Sequence, residues 1–236
     1  MSSQFSSDLS LRGRADVVGR CAAWIAAHAD RILCVGIFAA LLIRFVFVWR
    51  IAVNWDEFYF LELVHQYARG ELTIRPQTFH VHLFSWLPAL GWSEAGQIIA
   101  ARVVMALLSC GSAALIYGIA RRFLARRSAL FALLSYLSVT AVIQHAASFR
   151  VDPIVTFLVL LSMFAVLCKP GGWRGAVLAG AAMAVAALVT IKSALYLVVL
   201  AGVFWCDAQT LRERTRLACA FGAGFLTSLA ALYLFH

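Results

Sequence analysis

Asn54-Trp55-Asp56-Glu57-Phe58-Tyr59-Phe60-Leu61-Glu62 follows directly on an apolar run, Ile32–Val53, that is long enough to cross a bilayer. Reading that junction decides the fold. Two adjacent carboxylates are costly to keep beside lipid and useful for chemistry at a membrane surface. The chain is therefore expected to be a membrane protein whose candidate active site lies where its first span meets water.

The rest of the chain agrees. It is 63% hydrophobic and 13% charged, whereas soluble domains are about half apolar and about a quarter charged. The formal net charge of +9 does not point to nucleic acid, because Lys and Arg cluster between apolar runs instead of lining one face. They read as topology determinants meeting anionic lipid. Cys21, Cys34, Cys110, Cys168, Cys206 and Cys219 form no C-x-x-C pair and sit in or beside apolar runs. They read as small hydrophobes, with no disulfide or zinc framework. The Ser-rich start lacks an apolar core followed by a small-residue cleavage site, so the first span is expected to direct insertion itself.

Seven spans are predicted, at Ile32–Val53, Ala95–Ala120, Ser128–Phe149, Pro153–Cys168, Trp173–Thr190, Ser193–Cys206 and Leu217–Phe235. The fold class is all-α, a polytopic transmembrane helical bundle. Cytoplasmic loops carry an excess of Lys and Arg. An inside N-terminus puts four basic groups in the cytoplasm: Arg12/Arg14/Arg20/Arg31, Arg121/Arg122/Arg126/Arg127, Lys169/Arg174 and Arg212/Arg214/Arg216. Residues 1–31 then form a cytoplasmic segment and residues 32–236 the membrane domain. The outer side receives the loop 54–94, the Arg150–Asp152 turn and the Thr190–Lys192 turn.

A loop of that length is functional or disordered, and this one is too apolar for disorder. Asn54 with Glu57 three residues on has the pattern of a capping box, and Gly70 can end the helix it starts. Phe58, Leu61, Val64 and Ala68 recur at helical spacing against Glu57, Glu62, Gln66 and Arg69. That predicts one interfacial helix. Thr78–Leu90, aromatic-rich with Pro76 just before it and Pro88 near its end, is expected to form a second.

Three outer turns carry residues suited to chemistry. Asp56 and Glu57 do not face the same way on a helix, so one can address a site while the other caps or pairs with an Arg. They equally suit a solvated pair at a helix start. In Arg150-Val151-Asp152, Asp152 reads either as the cap of a helix with Pro153 in its first turn, or as a second site carboxylate beside a phosphate-binding Arg. In Thr190-Ile191-Lys192-Ser193, Lys192 reads as a snorkelling anchor or as a point charge for a lipid phosphate. His80 and His82 stand two apart, which diverges on a helix and does not suit a metal pair. They read as interfacial packing or as contacts to a sugar hydroxyl. Arg44 and Arg102 lie within spans, where a cation is a functional candidate unless it reaches the interface.

These turns together resemble the N-terminal half of the C-type polytopic glycosyltransferases, the branch of protein O-mannosyltransferases and bacterial lipid A aminoarabinose transferases. The resemblance rests on a span ending in Asp56-Glu57 before an aromatic-rich interfacial helix, on Arg150-x-Asp152 opening the fourth span, and on Thr190-x-Lys192 between the fifth and sixth. It implies a membrane glycosyltransferase of the bacterial inner membrane that moves a sugar from a polyprenyl-phosphate donor to an acceptor at the periplasmic face. The acceptor would be a glycolipid, polysaccharide or protein. By the same resemblance Asp56 is the catalytic acid/base carboxylate, Glu57 completes the Asp-Glu pair, and Asp152 is the second acidic residue. Arg150 and Lys192 hold the donor phosphate, and His82 precedes the second interfacial helix. No cofactor is required, although a divalent cation bridging Asp56, Asp152 and the phosphate fits the scheme. Thr78–Leu87 lacks the Pro-Pro often found there, and relatives carry more spans, so the chain is expected to continue past His236. Two rivals remain: a lipid-phosphate transporter or flippase, which wants charges near the midplane, and a non-catalytic membrane subunit.

Overall fold

A continuous first helix, α1 (Ser2–Arg50), carries the expected first span, with Gly19–Arg50 long and apolar enough to cross a membrane. It belongs to a computed structural model that describes residues 2–74, 76–168, 172–207 and 210–236, without the side chains of 2–18 and 205–207. Arg12, Arg14, Arg75, Lys169 and Cys206 therefore lie outside the described side chains. The described residues contain only helices and connections: α2 (Trp55–Ala68), α3 (His80–Phe84), α4 (Glu94–Phe123), α5 (Arg126–Leu137), α6 (Thr140–His145), α7 (Val151–Leu167), α8 (Trp173–Val189), α9 (Tyr196–Asp207) and α10 (Leu211–Phe235). Together with α1, α4 and α10 are long and apolar enough to cross a membrane; α7, α8 and Ile191–Phe204 are shorter apolar helices. The protein is a polytopic helical membrane protein.

Local sequence explains the helix starts. Asn54 and Glu57 form the capping box on α2, each side chain bonded to the other's backbone N–H at 3.1 Å. Gly70 follows α2 at φ 71°, a conformation open to glycine and costly elsewhere. Ser93 caps α4 and Thr210 caps α10. Helices α8 and α10 approach until backbone meets backbone. A Cβ on Gly180 would lie 2.1 Å from the Phe221 carbonyl oxygen, and one on Gly224 2.3 Å from that of Val177. Small residues at such contacts are how membrane helices associate. Ser162 on α7 adds a hydrogen bond to the Ala179 carbonyl of α8.

Three expectations need correction. The third span is not one helix: it stops at Leu137 and resumes as the short α6. At the break stands Arg44, buried on α1, whose Nη2 donates to the Leu137 carbonyl at 3.0 Å while Nη1 donates to Ala40 O at 2.8 Å. An orphan carbonyl at a helix end needs such a partner. Arg44 thus does not climb to the interface. The second interfacial segment is also broken, into α3 and a 3₁₀ turn at Pro88–Leu90. Finally, Asp152 does not cap α7. Arg150 holds the N-cap position and Asp152 lies in the first turn.

The connections bring several helix ends together. At one end the Phe79 N–H bonds Leu188 O at 3.4 Å, Ile191 N–H bonds Gln77 Oε1 at 3.4 Å, and His236 bonds Thr78 and His82 at 3.0 and 2.9 Å. The starts of α4 and α7 and the ends of α8 and α10 therefore share that end with α2 and α3. At the other, Arg126 and Arg127 reach Asp30 of α1 at 3.7 and 2.7 Å.

Candidate active site

The two adjacent carboxylates at the start of α2 divide sharply. Glu57 on α2 is 0% exposed, and both of its oxygens are saturated. Arg102 Nε donates to Oε1 at 2.7 Å and Nη2 to Oε2 at 2.5 Å. The Phe149 N–H adds a bond to Oε1 at 2.8 Å and the Asn54 N–H one to Oε2 at 3.1 Å. Burial pushes this carboxyl up, but the bonds from Arg102, Phe149 and Asn54 outweigh it and hold Glu57 below the ordinary carboxylate range. The other N–H groups of Arg102 go to Val48, Ile51 and Ala52 carbonyls at 3.1, 2.8 and 3.1 Å. All five guanidinium donors are used. One buried pair thus joins the end of α1, the start of α2, the middle of the outer half of α4 and the approach to α7. Glu57 is closed to solvent, and its bonds tie α2 to Arg102 and to the Phe149 backbone.

Asp56, one residue earlier, faces out with its side chain 50% exposed. Arg150 Nη1 donates to Asp56 Oδ2 at 2.6 Å, and its Nε to Asp152 Oδ2 at 3.0 Å. The structure therefore brings Asp56, Arg150 and Asp152 into one cluster. The bond from Phe149 to Glu57 fixes the backbone next to Arg150, so the closed pair aims the open one. Arg150 lies between the two carboxylates that a bridging divalent cation would use, so these residues fit a cation only once Arg150 withdraws.

Lys192 is exposed in the 3₁₀ turn Ile191–Leu195, at the same end of the bundle. It forms no ion pair among the described residues, and no bond links it directly to the Asp56 cluster. His80 is 2% exposed with neither ring nitrogen hydrogen-bonded, edge-on to Phe60 at 5.3 Å. It packs in the interior beside Phe60. Burial, then the neighbouring His236, push it down to about 4. His82 packs against Tyr67, Phe79 and Phe235 and bonds His236 at 2.9 Å. No group of three or more His, Cys, Asp or Glu among the described residues is placed to hold a metal ion. Beside α2, a groove of about 320 Å³ is lined by Trp55, Phe58, Tyr59, Glu62, His65 and Glu94.

The sequence flagged Arg102 as an intramembrane cation but not as the partner of Glu57. It missed the polar residues next to Asp152 altogether: Ser109, Ser112, Tyr136, His145 and Thr156 come from four helices, and only the two serines are linked by a helical spacing.

In comparisons with known proteins, none of the curated proteins matches the chain in sequence. Among solved structures, the S. cerevisiae protein O-mannosyltransferase Pmt1–Pmt2 complex, bound to the sugar donor, is similar with a TM-score of 0.68 over 90% of this chain at 17% identity. At that identity the likeness carries the fold alone. The chain spans about a third of that protein's length, 34%. The profile of the dolichyl-phosphate-mannose-protein mannosyltransferase family matches residues 80–235. That stretch includes Arg150, Asp152 and Lys192 and begins downstream of Asp56 and Glu57. With most of its length matched, this chain belongs to the dolichyl-phosphate-mannose-protein mannosyltransferase family.

Proposed function

We propose that the protein transfers a sugar from a polyprenyl-phosphate donor to an acceptor hydroxyl at the periplasmic face of the bacterial inner membrane. The observation that carries this reading is the Arg150 guanidinium bridging Asp56 and Asp152 at a water-facing helix start. A base for an acceptor and a cation for a phosphate stand side by side there. Family membership supports the reaction class, and the similar yeast structure was bound to its sugar donor.

In the proposed reaction Asp56 takes the proton of the acceptor hydroxyl as that oxygen bonds the anomeric carbon. The bond from that carbon to the phosphate oxygen breaks, and its electron pair leaves with the polyprenyl phosphate. Arg150 and Lys192 stabilise the departing charge, so the leaving group needs no proton. Asp152 holds Arg150 from its other side. Glu57 and Arg102 touch no substrate and keep α2 and the Phe149–Arg150 backbone in register. No step uses a divalent cation, because Arg150 already occupies the space between the carboxylates. The transporter reading loses its main support, because Arg44 and Arg102 are both committed to protein partners.

The test uses the full-length protein and a polyprenyl-phosphate donor with a radiolabelled sugar. Asp56→Asn is expected to lower transfer by about 10²–10⁴-fold, with unfolding within about 1 kcal/mol of wild type, as for an exposed group at a helix start. Undiminished transfer would remove Asp56 as the base. Label that crosses the bilayer still attached to its lipid would replace transfer with transport. Label that neither moves nor transfers would leave the non-catalytic subunit.

A further inference from the structure

Helix α9 runs between two apolar clefts. One, of about 460 Å³, separates it from the C-terminal ends of α4 and α7 and is lined by apolar residues alone, Phe123, Leu167 and Val203 among them. The other, of about 470 Å³, lies between α9 and α10 and has an arginine in its wall, Arg214. Small side chains leave this second space open: Ala201 of α9 and Ala218 of α10 line it and stay exposed. Leu200 and Phe204, both buried, line it too, with Phe221 edge-on to Phe204 at 5.6 Å.

The arginine-bearing cleft sits one membrane thickness from the candidate active site. The end of α10 bonds Thr78 and His82 through His236. Arg214 lies about 33 Å back along the same helix, at about 1.5 Å per residue, and the hydrocarbon core of a bilayer is about 30 Å thick. From Arg214 the lining continues to Phe221, about 10 Å along α10, which keeps the cleft within one leaflet. Arg214 is half-buried, whereas Arg212 and Arg216 are exposed. Of the three arginines on this stretch, only Arg214 turns into the cleft. The other polar residue in the wall, Thr215, donates its hydroxyl to Leu211 O at 3.0 Å.

An apolar slot one leaflet deep, with a guanidinium at its headgroup end, matches a molecule with an apolar chain and an anionic head. Lys and Arg at a membrane surface attract anionic lipid, and a guanidinium meets a phosphate through paired N–H groups. We propose that the α9–α10 cleft binds an anionic phospholipid of the leaflet opposite the Asp56 cluster, with its phosphate at Arg214 and one acyl chain between Ala201 and Ala218. The cleft on the other side of α9 has no charge to select a headgroup. The lipid site does not depend on which reaction the outer residues perform.

The test titrates full-length protein in detergent with phosphatidylglycerol and with phosphatidylcholine and counts retained lipid by native mass spectrometry. Wild type is expected to hold one phosphatidylglycerol about 5-fold more tightly than phosphatidylcholine, as for one cation at a membrane surface. Arg214→Gln should remove that preference, and Arg212→Gln, at an exposed arginine outside the cleft, should keep it. Ala201→Leu fills the slot and should lose the retained lipid. Thermal unfolding checks the fold of each variant, and Ala218→Leu blocks the slot from the other helix if Ala201→Leu does not fold. Wild type that holds neither lipid would mean that protein covers the cleft, and the inference falls. Equal retention of the two lipids overturns it, as does an Arg212→Gln variant that behaves like Arg214→Gln, or a folded, blocked variant that still holds phosphatidylglycerol. Displacement of that lipid by an equal amount of polyprenyl phosphate would make the cleft a donor site and overturn it too.

Discussion

Asp56 and Glu57 are neighbours on one helical turn with the same functional group, and they occupy opposite environments. Glu57 is sealed, with four hydrogen bonds and a buried guanidinium. Asp56 is half exposed and shares one Arg with Asp152. Next-door positions on a helix point about 100° apart, so a bundle can bury one carboxylate and present the other. The sealed residue sets the position of the presented one. Removing either one would damage activity, by different routes, and stability separates the two.

The largest effect is expected on the sealed side. Glu57→Gln leaves the Arg102 charge buried without its counter-ion, which costs about 3–5 kcal/mol. Denaturant or thermal unfolding in detergent, beside Asp56→Asn at about 1 kcal/mol or less, reads the contrast. Equal destabilisation by the two substitutions would break it.

A somewhat smaller effect belongs to His80, which is sealed as Glu57 is but has no hydrogen-bond partner among the described residues. Its folded value of about 4 lies below the ordinary value near 6.5. The unfolded chain then binds the proton first, so stability is full above about pH 6.5 and declines as pH falls toward 4, by up to about 3 kcal/mol. His82 is moved the same way, by burial and then by His236. Glu57, held below the ordinary carboxylate range, is lost only in more acid solution. His80→Leu should flatten the pH dependence of unfolding between 6.5 and 4. An unchanged slope would place His80 in contact with water.

Much of this was legible in the sequence because it is local. Span positions follow from composition, and the Asn54/Glu57 capping box follows from a three-residue spacing. Glu57 and Arg102 lie 45 residues apart in the chain, and nothing in either segment names the other. The division of labour within the Asp-Glu pair was foreseeable from helix geometry, but which member turned inward was not. The broken third span was hidden because Ser138-Val139-Thr140 carries no Pro or Gly. The Leu137 carbonyl left open at the break is met by Arg44, a residue from another helix.

The most direct test of the two environments needs no substrate. Folded protein in detergent is treated with a water-soluble carbodiimide and a small amine near neutral pH, and carboxyl modification is followed site by site by mass spectrometry. The account predicts that Asp56, Asp152 and Glu62 are modified readily while Glu57 stays protected until the protein unfolds. Modification of Glu57 at the rate of Asp56 would contradict it.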